Sequence, residues 1–101
     1  MAQFDLYPNP HQESAEAIPY LLEIQNDLHR LLSTRVVIPL ARGQKAIRLL
    51  NPVITYRDEY LVAMTEQMVS VPRELLTRPV ANLSRYRNEI VDALDFLVNG
   101  F

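Results

Sequence analysis

A chain of 101 residues, 49% hydrophobic and 22% charged, has the size and makeup of one globular domain that holds its core without covalent staples. It contains no cysteine, which excludes disulfides and thiolate metal sites. Its net charge of -2 argues against a life on nucleic-acid phosphates, because such contacts draw on an excess of Lys and Arg. Every cation except Lys45 is arginine, a side chain made for planar, bidentate contacts that serve protein interfaces as well as phosphate. The opening Met1-Ala-Gln-Phe-Asp-Leu lacks the basic start and long apolar run of a secretory signal. No apolar run approaches the length of a membrane span, so the expected location is cytoplasmic.

In chain order, Gln3 to Tyr7 predicts a first strand, with Phe4 and Leu6 alternating against Gln3 and Asp5. Pro8-Asn9-Pro10 stops it, and a polar loop runs to about Ala17. Tyr20 to Gln25 predicts a second strand. The connection from Asp27 to Thr34 contains Leu28, His29, Leu31 and Leu32, unusually apolar for a loop. Arg35 to Ala41 is the strongest strand signal, rich in β-branched residues, and its internal Pro39 places it at a sheet edge or at a bend.

After a second connection, Arg42 to Leu50, Val53 to Tyr56 and Tyr60 to Met64 flank a hairpin-sized link, Arg57-Asp58-Glu59. Glu66 to Val71 predicts a further strand closed by Pro72, and Arg73 to Thr77 a turn of helix. Leu83, Tyr86, Ile90, Leu94 and Leu97 recur at intervals of three and four residues, the stripe of a long helix, with Asn82 or Ser84 as N-cap. Strands first and one closing helix predict a single α+β domain over residues 1–101. Its sheet is mostly antiparallel, an SH3-like barrel or sheet, with a single long C-terminal helix.

Sites of chemistry are sparse. His11 and His29 lie in different loops, without the spaced second ligand a zinc site needs; Asp27 and His29 are close enough in sequence to share one side of an extended segment. Ser14, Ser33, Ser70 and Ser84 lack a nucleophile signature. Gly43 and Gly100 are the only glycines, so no glycine-rich phosphate loop can be built; Gly43, among Arg42, Lys45 and Arg48, fits a plain turn. Arg85 and Arg87 oppose the dipole at the start of the last helix, which calls for a partner acid such as Glu89. The expectation is a protein without catalytic residues, metal or cofactor. The chain's end is unusual: Ala93 to Phe101 stays apolar to the last residue, where termini are normally polar and frayed.

Taken together, Gln3-Phe4-x-Leu6-Tyr7, Asp27 followed by Thr34-Arg35-Val36-Val37-Ile38-Pro39-Leu40-Ala41, Met68-x-Ser70-Val71-Pro72, Val80-Ala81-x-Leu83-Ser84 and the closing Gly100-Phe101 resemble the CcdB family, the toxin half of a type II toxin–antitoxin pair. The likeness spans the whole chain with its motifs in order. The resemblance implies a two-fold homodimer that is not an enzyme, binds the A subunit of DNA gyrase and traps the enzyme on cleaved DNA. It implies neutralisation by a CcdA-type antitoxin, whose DNA-binding part lets the complex repress its own operon. Gyrase is gripped by the end of the last helix and the loop after the second strand, which points to Leu28, His29, Asp95, Val98, Asn99, Gly100 and Phe101. Two positions depart from the family pattern: His29 stands where an apolar residue is usual, and Asn99 where a Trp precedes the penultimate Gly. The dimer contact is expected at Met68, Val69, Val71 and Leu97, and antitoxin contact at Tyr7, Asn9 and Ser14. Two other readings stay open: an endoribonuclease toxin of related fold that cuts messenger RNA, and a homologue that binds antitoxin alone.

Overall fold

The computed structural model describes residues 2–29 and 31–100. Seven strands form one antiparallel sheet in the order β4-β5-β3-β2-β1-β7, with β6 also paired to β3. They are β1 (Asp5–Pro8), β2 (Tyr20–Glu23), β3 (Thr34–Ala41), β4 (Val53–Tyr56), β5 (Glu59–Ala63), β6 (Val69–Pro72) and β7 (Ala81–Asn82); one helix, α1 (Arg87–Asn99), closes the chain. The curled sheet with its single C-terminal helix is the expected α+β, SH3-like arrangement.

The apolar runs of β1, β2 and β3 are continuous because both faces of the sheet are covered there, and successive side chains point to opposite faces. Leu6, Leu22, Ile38 and Leu40 face the main core with Ile54, Leu61, Leu83 and Ile90. Their neighbours Tyr7, Leu21 and Val37 face the other way and pack with Leu76. That second layer explains the segment after β6: a 3-10 turn at Arg73–Leu75 carries Leu76 over the outer face of the sheet.

β3 is a central strand, not an edge. One side pairs with β2 along Val37 to Leu40. The other is shared: Thr34 to Val37 pair with β6, and Leu40 and Ala41 pair with β5. Pro39 sits where the partner changes, its carbonyl accepting the Met64 N–H at 2.9 Å. A residue's N and O point to the same side of a strand, so the missing N–H of Pro39 falls in the gap between partners. The predicted edge does not hold; Pro39 is accommodated instead by the change of partner along that side.

Other boundaries move for local reasons. The first strand begins at Asp5 because Phe4 is left-handed at φ 70, in a turn closed by the Asp5 N–H to the Ala2 carbonyl at 3.0 Å. A non-glycine residue keeps this conformation only when its surroundings enforce it. Phe4 donates to the Glu23 carbonyl at 2.7 Å and accepts from the Leu83 N–H at 2.8 Å, while its buried ring lies under the Arg87 guanidinium. Arg57 and Asp58 form the β4–β5 turn alone, both at positive φ, the geometry of a two-residue type I′ hairpin; Glu59 already belongs to β5. Glu66 lies in a 3-10 turn, Thr65–Gln67, not in a strand.

The last helix is entered through another 3-10 turn, Ser84–Tyr86, whose first N–H bonds the Asn82 side chain at 3.0 Å. Asn82 therefore braces the start of the turn, and the N-cap of α1 is Tyr86 rather than Asn82 or Ser84. Ile90 and Ala93 are buried and Leu94 packs on the main core, while Leu97 lies at the border, 37% exposed. α1 ends at Gly100, left-handed at φ 79, whose N–H reaches the Phe96 carbonyl at 2.9 Å. This is the capping conformation that glycine adopts without strain. Among the described residues, no helix is long and apolar enough to cross a membrane.

Candidate functional site

The connection between β2 and β3 inverts the usual plan of a loop. A 3-10 turn at Asp27–His29 is nucleated by Asn26, whose side chain accepts the Leu28 N–H at 2.8 Å. Polar anchors hold the backbone from outside. Asp27 accepts the Gln3 N–H at 2.7 Å, and Gln25 donates to the His29 carbonyl at 3.0 Å. Arg35 donates to the Leu32 carbonyl at 2.7 Å, and the Arg73 N–H to the Ser33 carbonyl at 3.0 Å. The leucines take no part in this: Leu28 is 82% exposed, Leu31 86% and Leu32 53%. Buried leucine is worth roughly 1.5–3 kcal/mol to a fold, so this loop leaves that gain unused and displays an apolar surface on a tethered backbone. His29 is exposed beside it. Asp27 accepts the Gln3 backbone N–H and so braces the loop, while the His29 side chain is exposed.

The end of α1 is the second displayed region. Asp95, Val98, Asn99 and Gly100 are exposed, Val98 at 73%; Phe101 lies outside the described residues. Beside it, Asp92, Asp95, Phe96 and Leu49 line a shallow depression of ≈ 240 Å³. The helix also packs on the Thr65–Gln67 turn that leads directly into Met68 and Val69. Met68 and Val69 are exposed and Val71 is half-buried; among the described residues β6 pairs only with β3, which leaves Val69 and Val71 on a strand with one open side and Met68 just ahead of it.

The β1–β2 loop is organised differently. The Asn9 amide donates to the Ser14 hydroxyl at 3.0 Å and to the Ile18 carbonyl at 2.8 Å, and its oxygen accepts the His11 N–H at 2.9 Å. Asn9 and Ser14 are half-buried and shape the loop. Tyr7 is wholly buried, so its side chain serves the core and not the surface where antitoxin contact was expected.

Sequence reasoning missed a buried polar group beneath the apolar loop. Glu23 and Arg35 are 3% and 2% exposed and lie 3.5 Å apart, and the Tyr7 hydroxyl donates to the other Glu23 oxygen at 3.4 Å. Burial pushes the Glu23 carboxyl above the usual carboxylate range, with Arg35 pulling the other way. The Tyr7 hydroxyl is raised by burial and, next, by the charge of Glu23. The available signal was a charge at the end of each apolar run, Glu23 after Tyr20-Leu21-Leu22 and Arg35 before Val36-Val37-Ile38.

Arg85, Arg87 and Arg42 have structural partners. Arg85 and Arg87 lie over the rings of Tyr86 and Phe4 at 5.1 and 5.0 Å, and they donate to the Thr55 carbonyl and the Gln3 side chain; aromatic faces, rather than Glu89, offset their position at the helix start. Arg42 pairs with Glu59 and donates to the Glu16 carbonyl at 2.8 Å, which makes Gly43, at φ 67, an ordinary turn. Among the described residues no group of three His, Cys, Asp or Glu side chains is placed to hold a metal.

The arrangement is one of displayed apolar patches on rigid supports, set on a seven-stranded sheet with a closing helix. A family model described as CcdB protein matches residues 3–100, which takes in the sheet, the apolar loop and α1 to its glycine cap. The chain belongs to the CcdB family of toxins from toxin–antitoxin systems.

Proposed function

We propose that this toxin acts by binding and not by catalysis, gripping the A subunit of DNA gyrase and holding the enzyme on cleaved DNA. The observation that carries the reading is the β2–β3 loop, with Leu28 and Leu31 turned outward on a backbone fixed by polar anchors. A rigid apolar prong keeps the entropy cost of docking small. Leu28 and His29 contribute from this loop, and Asp95, Val98, Asn99, Gly100 and Phe101 from the helix end. Asn99 offers hydrogen bonds where the family pattern has an indole, so apolar contact falls to Val98 and the terminal Phe.

A homodimer joined through Met68, Val69, Val71 and Leu97 displays two such surfaces about a two-fold axis. Gyrase carries its A subunits in a pair, so both surfaces engage together and gain avidity. A CcdA-type antitoxin covers the β1–β2 loop around Asn9 and Ser14, and the complex represses its own operon through the antitoxin's DNA contacts. The setting for these partners is the cytoplasm.

The deciding experiment is a gyrase supercoiling and cleavage-complex assay with the full chain and with Asn99-Gly100-Phe101 deleted. The full chain stabilises cleaved DNA; the truncated chain stays folded and dimeric but does not. Equal activity of the two removes the helix end from the mechanism. Cleavage of bare RNA by the purified protein, abolished by one side-chain change, replaces the proposal with the endoribonuclease reading.

A further inference from the structure

The apolar loop's inner anchor is a buried charge, which is a costly way to hold a carbonyl. Taking an ion out of water costs several kcal/mol, and well-packed apolar residues often replace a buried pair without loss of stability. The Glu23–Arg35 pair therefore calls for a role beyond cohesion of the core. Its geometry supplies one. The guanidinium faces two ways: Nε approaches Glu23 at 3.5 Å, while Nη1 donates to the carbonyls of Leu32 at 2.7 Å and Thr34 at 2.9 Å. Glu23 is held in turn by the Tyr7 hydroxyl. A planar fork does this; the compact ammonium of lysine does not. Because Leu28 and Leu31 are 82% and 86% exposed, apolar packing of theirs does not set the loop's direction. Backbone anchors must.

We propose that Arg35 is a positioning residue for partner binding: fixed from behind by Glu23 and Tyr7, it holds the Leu32 carbonyl and sets the direction in which Leu28, Leu31 and Leu32 are presented. This deepens, and rests on, the reading of the loop as the surface that meets gyrase. Arg35 touches no partner itself.

The test compares variants of the 101-residue chain by thermal melting, by hydrogen exchange at the amides of Leu28, His29 and Leu32, and by equilibrium binding to the purified A subunit of DNA gyrase. Combining Tyr7→Phe, Glu23→Leu and Arg35→Met removes the whole polar group at nearly constant volume, so the fold survives. The expected result is an undiminished melting temperature, loop exchange at least tenfold faster, and gyrase binding at least tenfold weaker. Arg35→Lys, which keeps Glu23 in charged company but loses the fork, falls between this variant and wild type in both loop exchange and binding. Leu28→Asp weakens binding with loop exchange unchanged. Wild-type exchange in the triple variant overturns the clamp, and faster exchange with full gyrase binding overturns its role in presentation. If Leu28→Asp binds gyrase as well as wild type does, the gyrase reading of the loop fails. That outcome takes the presentation role with it, while the exchange measurement still decides the clamp.

Discussion

The two loops flanking β2 do the same topological job and are built on opposite plans. The β1–β2 loop is held from within: Asn9 ties Ser14, Ile18 and His11 together, and Ile18 packs onto both smaller apolar clusters. The β2–β3 loop is held from without, by Gln3, Gln25, Arg35 and Arg73, and its leucines face solvent. A connector packs its apolar residue onto the body it connects. A docking element withholds apolar residues and relies on polar ties, which stay intact when a partner covers the leucines. Stability and binding should therefore be separable by mutation, one loop at a time.

The largest expected effect breaks the second loop's support. Arg35→Ala alone leaves Glu23 buried without its charge partner and costs about 3–5 kcal/mol, read as a shift of the urea unfolding midpoint at constant m-value. Asn9→Ala strips the first loop of its internal bonds and costs about 1–2 kcal/mol by the same measurement, with gyrase affinity unchanged. Leu28→Ala and Leu31→Ala reverse that pattern. Both stay within about 0.5 kcal/mol of wild type in stability, as surface changes do, while each weakens gyrase binding measurably by isothermal titration. Equal losses of stability from Asn9→Ala and Leu28→Ala erase the distinction between the loops.

The smallest effect is a pH dependence. The folded carboxyl of Glu23 lies above its ordinary 4.5 because of burial, so over that interval the folded chain binds more protons than the unfolded one. Its contribution to stability is greatest below 4.5 and is lost as pH rises through the raised folded value. Unfolding midpoints collected across that window should fall more steeply for wild type than for Glu23→Gln.

Much of this architecture was legible in the sequence because apolar runs and the three-and-four stripe of α1 are local signals. The apolar β2–β3 loop stood out for the same reason, since three leucines between strands need an explanation. What stayed hidden depends on register between distant segments. Pro39 forbids a ladder donor, but only the meeting of β5 and β6 along one side of β3 shows that a central strand can accommodate it. Phe4 gave no hint of its left-handed backbone, which is enforced by Glu23 and Leu83. Glu23 and Arg35 read as strand-end charges until the fold set them side by side.

The pairing of β1 with β7 constrains how this toxin's sheet assembles. Asp5 and Leu6 are matched with Asn82 and Ala81, and the Asn82 side chain reaches back to Gln3 and Asp5. One margin of β1 thus stays bare until a segment 77 residues further along the chain joins it. Contacts so remote in sequence slow folding, and here they make the joining of β7 to β1 a late step. The order of the strands thus makes the β1 margin the seam that closes the sheet.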